Sequence, residues 1–171
     1  SGATKLTTGT LADPASSSDD RQIELRRVAP WLVMQAGCLL VFVVGWSSIA
    51  VAVAIALYLI RMFAVTGFYH RYFGHRSYTM SRSMQFAGAL LGATAVQRGA
   101  LWWAAHHRKH HRSSDDEGDP HSPHLHGFWY SQVGWFVTRG AWGTDMSQVK
   151  DFAKYPELVW LDRHDRVVPT V

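Results

Sequence analysis

Apolar residues are concentrated in one part of this chain, and polar ones dominate on either side of it. Residues 31–60 contain no Asp, Glu, Lys or Arg. As a single helix this stretch would run about 45 Å, well beyond the roughly 30 Å of bilayer hydrocarbon. It is interrupted by Gly45-Trp46-Ser47-Ser48, a turn-capable glycine, an interfacial tryptophan and two helix-capping serines. The pattern predicts two spans, residues 30–45 and 47–68, forming a transmembrane hairpin. Arg26 and Arg27 precede the first span and Arg61, Arg71 and Arg76 mark the end of the second, while the turn between them has no Lys or Arg. By the positive-inside rule both ends of the hairpin face the cytoplasm. A later apolar stretch, residues 84–96, is broken by Gln85, Gly88, Gly92 and Thr94 and is too short to cross comfortably. It is expected to lie in or dip into the interface. The expected class is all-α integral membrane, a two-helix hairpin with interfacial and cytosolic helices.

Residues 1–27 are rich in Ser, Thr, Asp and Gly and read as a disordered polar lead-in, followed by the hairpin (28–69) and a cytosolic-face region (70–171). The apolar run begins too deep and is too long for a signal peptide. One cysteine, Cys38, excludes an intrachain disulfide or thiolate metal site and reads as a small hydrophobe in the apolar run. The net charge of +4 comes from Lys and Arg that flank apolar segments, which fits membrane headgroups or an anionic substrate carrier better than nucleic acid.

Candidate chemistry lies in the histidines. Nine of the ten fall between His70 and His126, and five form two boxes, His70-Arg-Tyr-Phe-Gly-His75 and His107-Arg-Lys-His110-His111. Neutral imidazoles at this density point to a metal such as iron, zinc or copper. On a helix His107, His110 and His111 share one broad face, with His110 and His111 about 100° apart, suited to feeding two neighbouring metals. His70 and His75, five apart, do not stack on one face of a regular α-helix; either they serve different metals or the helix ends between them near Gly74. A zinc hydrolase is disfavoured, because H-E-x-x-H is absent, neither box holds a Glu base, and five nitrogens exceed what one zinc uses. His106 is a sixth ligand or, preferably, a neighbour that hydrogen-bonds to ligands. Asp115, Asp116, Glu117 and Asp119 read equally as partners of ligand imidazoles or as a solvated loop, and at most one of His121, His124 and His126 is expected on metal.

These motifs resemble the integral-membrane fatty acid desaturases, in particular the bacterial relatives of the acyl-CoA delta-9 (stearoyl-CoA) type. The resemblance rests on His70-Arg-Tyr-Phe-Gly-His75-Arg-Ser-Tyr, on Trp103-Ala-Ala-His106-His107-Arg-Lys-His110-His111, and on Asp119-Pro-His121 with Gly127-Phe-Trp-Tyr-Ser-Gln-Val-Gly-Trp135. Alkane hydroxylases are less similar, since their first box carries a Glu beside its initial His. The resemblance implies two iron ions held by His70, His75, His107, His110 and His111, with Gln97 and Trp103 lining an acyl tunnel. It implies removal of two hydrogens from a saturated acyl chain using O2 and two electrons from cytochrome b5, ferredoxin or a rubredoxin-like donor. The setting it implies is a bacterial inner membrane with the boxes on the cytoplasmic side. Two departures stand out: Gln132 replaces a frequent His, and no third box of the form H-x-x-H-H follows, so the chain reads as the N-terminal part of an enzyme that would be inactive alone. The alternative is a non-catalytic membrane fragment that binds metal or a partner.

Overall fold

The computed structural model describes residues 22–113 and 122–170, and among them every regular element is helical, with one isolated bridge between Ile23 and Thr138. Most of the polar lead-in lies outside the described residues. The first helix, α1 (Leu25–Cys38), contains Pro30, and Trp31 on it packs edge-on against Phe136 with ring centroids 5.5 Å apart. After a short turn, Val41–Val44, the apolar run breaks where its turn residues predict. Gly45 takes a left-handed φ of 80°, open to glycine at no steric cost, and the Ser47 hydroxyl accepts the Ala50 N–H at 3.1 Å to cap α2 (Ser48–Phe63).

No residue of α2 is buried. The helix continues as a π-helical segment, Ala64–Gly74, and the joined unit of 27 residues is long and apolar enough to cross a membrane. A second apolar stretch, Val28–Val44, is shorter. Large side chains such as Ile49, Ile55, Leu59 and Phe63 all face outward, an apolar surface far larger than water-soluble monomers display.

The packed core lies instead around the π segment, built from Tyr69 and Phe73 with Leu101, Ala104, Ala105, Val149, Phe152, Leu158 and Leu161. Helix α3 (Arg82–Ala93) covers this segment through its small residues. A Cβ at Gly88 or Gly92 would enter the ring of Phe68 or Tyr69, so both positions admit only glycine without repacking. At twelve residues α3 spans about 18 Å, well under the bilayer's hydrocarbon. Tyr69, buried beneath it, donates its hydroxyl to the carbonyls of Ala89 (3.2 Å) and Arg98 (2.9 Å).

Helix α4 (Ala100–Arg112) carries the second box, and α5 (Pro156–Arg163) packs across its start. The N-cap of α4 is Gly99, which offers no side chain; the cap comes from α5, where Asp162 Oδ1 accepts the Trp102 N–H at 2.8 Å and Oδ2 accepts the Thr144 hydroxyl at 2.7 Å. A Cβ on Gly99 would lie 2.6 Å from that Oδ1, so glycine is what lets the distant carboxylate reach the helix end.

Candidate metal centre

Four of the five box histidines meet. Nε2 of His75 lies 3.2 Å from that of His70 and 3.0 Å from that of His107, and Nε2 of His111 lies 3.1 Å from that of His107. One nitrogen from each of the four rings falls within 4.8 Å of all the others. Metal–imidazole bonds of about 2.0–2.1 Å place adjacent donors roughly 3 Å apart, so this spacing suits four nitrogens around one ion. His110 is not among the four; its ring stands 5.6 Å from that of His111.

Two local features create the meeting point. On α4, Trp103, His107 and His111 follow at intervals of four and form one stripe. The first box depends on the π segment. An α-helix would point His70 and His75 in different directions, but here the His75 N–H donates to the His70 carbonyl at 3.0 Å, five residues back. That wider turn swings residues five apart toward one face, and the helix stops at Gly74 immediately before His75. Of the two arrangements left open by the spacing, the structure adopts the helix end near Gly74 and brings both rings to one place.

The pocket keeps His107 uncharged. Burial, reinforced by the neighbouring rings of His111, His70, His75 and His110, lowers its pKa to about 3, leaving a lone pair free for metal at neutral pH. Trp103 stacks on His107 with centroids 4.6 Å apart and donates its indole N–H to Gln97 Oε1 at 3.2 Å. Gln97 sits between Val96 and Arg98, both at left-handed φ (61° and 67°), and lines a groove of ≈ 410 Å³ with Ala54, Leu57, Tyr58, Arg61, Met62, Val65 and Ala95. Both residues expected on an acyl tunnel therefore connect the histidines to an apolar groove beside α2.

The remaining histidines lie elsewhere. His106 turns away, its Nδ1–H donating to the Trp102 carbonyl at 3.0 Å and its ring resting beside the stacked pair of Trp102 and Trp135. His124 and His126 occupy the exposed turn Pro123–His126, Gln132 is exposed, and His164 stacks on Trp160. His121, Asp115, Asp116, Glu117 and Asp119 lie outside the described residues. Sequence reasoning passed over Arg108 and Asp151, which join the two boxes from behind. A usable signal existed, since Leu101, Ala104 and Arg108 follow the i, i+3, i+7 interval of a buried stripe.

The fatty acid desaturase family model matches residues 45–170. The chain is similar to the sn-2 palmitoyl-lipid 9-desaturase of Nostoc sp. (strain 36), with 32% identity over 128 residues covering 70% of this chain and 43% of the relative. It is similar to the sn-1 stearoyl-lipid 9-desaturase of Anabaena variabilis, at 32% over 152 residues, 87% of this chain and 56% of the relative. The hex-5-enoyl-[acyl-carrier protein] acetylenase of Moorena producens (strain JHB) is 36% identical over 102 residues, 53% of this chain and 32% of the relative. The chain thus spans about half or less of the length of these curated relatives. No solved structure matches it significantly.

Proposed function

We propose, from the premise that this chain belongs to the fatty acid desaturase family, that its protein is a membrane fatty acyl desaturase with a histidine-held two-iron centre. The observation that carries the reading is the convergence of His70, His75, His107 and His111 on one point at metal-donor spacing. These four would hold one iron, and His110, beside His111, would turn its nitrogen to the second. Iron bound there would supply the oxidising power that unactivated methylenes require, which acid–base side chains lack. The overall change is loss of two hydrogens from adjacent methylenes to give a cis double bond, while O2, two electrons and two protons complete two waters.

The chain's own residues have distinct tasks. The neutral imidazole of His107 presents a lone pair, Trp103 fixes its plane, and Gln97 fixes Trp103 by accepting its N–H. The groove past Gln97 would take the alkyl chain, its apolar wall excluding water. The acyl carrier in this proposal is CoA or another carrier. The names of two relatives, a palmitoyl-lipid and a stearoyl-lipid desaturase, support a lipid-linked chain as that other carrier. Electrons would come from a cytochrome b5, ferredoxin or rubredoxin-like donor. The exposed apolar helix agrees with the membrane association of the family, and the basic flanks support boxes on the cytoplasmic side of a bacterial inner membrane.

Metal analysis and substrate turnover of the purified intact protein test the reading. Two irons per protein are expected, and His107→Ala or His111→Ala should abolish desaturation while leaving membrane insertion unchanged. One zinc per protein, or full activity in either variant, would refute it. Metal binding without turnover under a range of electron donors would favour a metal-binding membrane element over an enzyme.

A further inference from the structure

Arg108 lies inside the second box, but its side chain leaves the histidine cluster on the core-facing side of α4. Nε donates to the Gly74 carbonyl at 3.1 Å and Nη2 to the Phe73 carbonyl at 2.6 Å, the last two residues of the π segment. Nη1 donates to the Gln148 carbonyl at 2.9 Å, and the two terminal nitrogens close a fork on Asp151, Nη1 to Oδ1 at 2.9 Å and Nη2 to Oδ2 at 3.0 Å. The same Oδ2 accepts Arg76 Nη1 at 3.0 Å. Arg76 directly follows His75 and holds a left-handed φ of 53°, unfavourable for a residue with a side chain.

This places one guanidinium at the junction of both box-bearing elements. Its immediate chain neighbour is His107, and the carbonyls it holds immediately precede His75. Carbonyls at a helix end lack partners within the helix, and a cation there is favoured twice, by hydrogen bonding and by the helix dipole. Only the planar fork of arginine can reach three backbone carbonyls and a carboxylate together; lysine has the charge and not the geometry. Asp151 ties the fork to the helical turn Lys150–Ala153 and restrains the strained residue after His75 through Arg76. Both members of the central pair are mostly buried, with side chains 19% exposed, so the pair is held more firmly than a surface bridge. Burial works against the Asp151 charge, but the bonds and charges of Arg108 and Arg76 outweigh it and keep the carboxyl below its ordinary range.

We propose that Arg108 and Asp151 are positioning residues for the metal centre, setting the approach of His75 to His107 by clamping the end of the π segment to α4. The proposal rests on the metal reading of the cluster and concerns residues that touch neither metal nor substrate. Supporting partners behind metal ligands typically change affinity 10–100-fold when removed.

Co2+ titration of the intact, metal-stripped protein in detergent tests this, reading both affinity and the visible ligand-field bands, which respond to donor geometry. Arg108→Lys and Asp151→Asn should each weaken Co2+ binding by about 10–100-fold and shift the bands. Glu157→Gln, which breaks the outlying pair with Arg82, should match wild type in both. Wild-type affinity and bands in Arg108→Lys and Asp151→Asn would overturn the proposal, as would an equal loss in Glu157→Gln. Should both inner variants fail to fold, Arg76→Gln, which removes only the exposed half of the clamp, decides: shifted bands support the proposal and unchanged bands overturn it. Failure of the wild-type protein to bind Co2+ would remove the metal reading as well, whereas wild-type binding with unaltered variants removes only the clamp.

Discussion

Gly74 shows how little slack surrounds the cluster. A Cβ there would approach His107 Cδ2 at 2.9 Å and Trp103 Cζ3 at 3.5 Å, and the stacked tryptophan blocks the imidazole's retreat. Gly74→Ala should therefore move the His107 ring by a few tenths of an ångström, with helix content unchanged, and weaken metal binding roughly tenfold. A metal titration of this variant checks the expectation, and wild-type affinity would mean that His107 has more freedom than its packing implies. At this scale the histidines were legible because few residue types bind metals, and two boxes are hard to explain as solvated surface. Arg108 was not, because an arginine among basic residues looks like a headgroup contact until its turn toward the core is seen.

At the scale of elements, the start of α4 depends on a residue sixty positions away. Asp162 occupies the place of a cap and is buried, so Asp162→Ala should cost about 1–3 kcal/mol by stranding the Trp102 N–H. Asp162→Asn keeps an acceptor oxygen and should cost less. Burial raises the Asp162 pKa, overriding the hydrogen bonds from Thr144 and Trp102 and the nearby Arg98. With a raised folded-state value, this group's contribution is complete below the unfolded aspartate pKa and is lost as pH rises through the folded one. Thermal midpoints measured from pH 4 to 7 should thus show wild type losing ground relative to Asp162→Asn as pH rises. A constant difference across that range would contradict the assignment. The break before Ser48 was readable from Gly45, Ser47 and the apolar runs, whereas the π register at residues 64–74 was not, because a change of hydrogen-bond partner from four to five residues back leaves no mark on hydrophobic period.

For the whole molecule, the division between exposed apolar helix and packed box region makes a topological prediction. Four arginine bridges, Arg76–Asp151, Arg82–Glu157, Arg98–Asp165 and Arg108–Asp151, tie residues 151–165 back onto the elements around the boxes, so both boxes and this segment form one body. The parts of that body outside the helix Ser48–Gly74 are therefore expected on one side of the membrane. Single cysteines at positions 26, 77 and 109, in a Cys38→Ser background, should all be labelled from the cytoplasmic side of sealed vesicles. Labelling of 77 and 109 from opposite sides would be incompatible with a shared site.

The sequence by itself determined the helical class, the break in the apolar run, the resemblance to desaturases and the residues able to bind metal. Each of these follows from residue chemistry or from local intervals along the chain. Tertiary structure alone decided that His75 turns to His70, that His111 joins the cluster while His110 stands beside it, and that His106 packs against tryptophans. It also decided that Asp162 caps α4 and Asp151 steadies Arg108. These outcomes depend on how close packing and the satisfaction of buried polar groups resolve contacts between distant segments, and no local period in the chain encodes them.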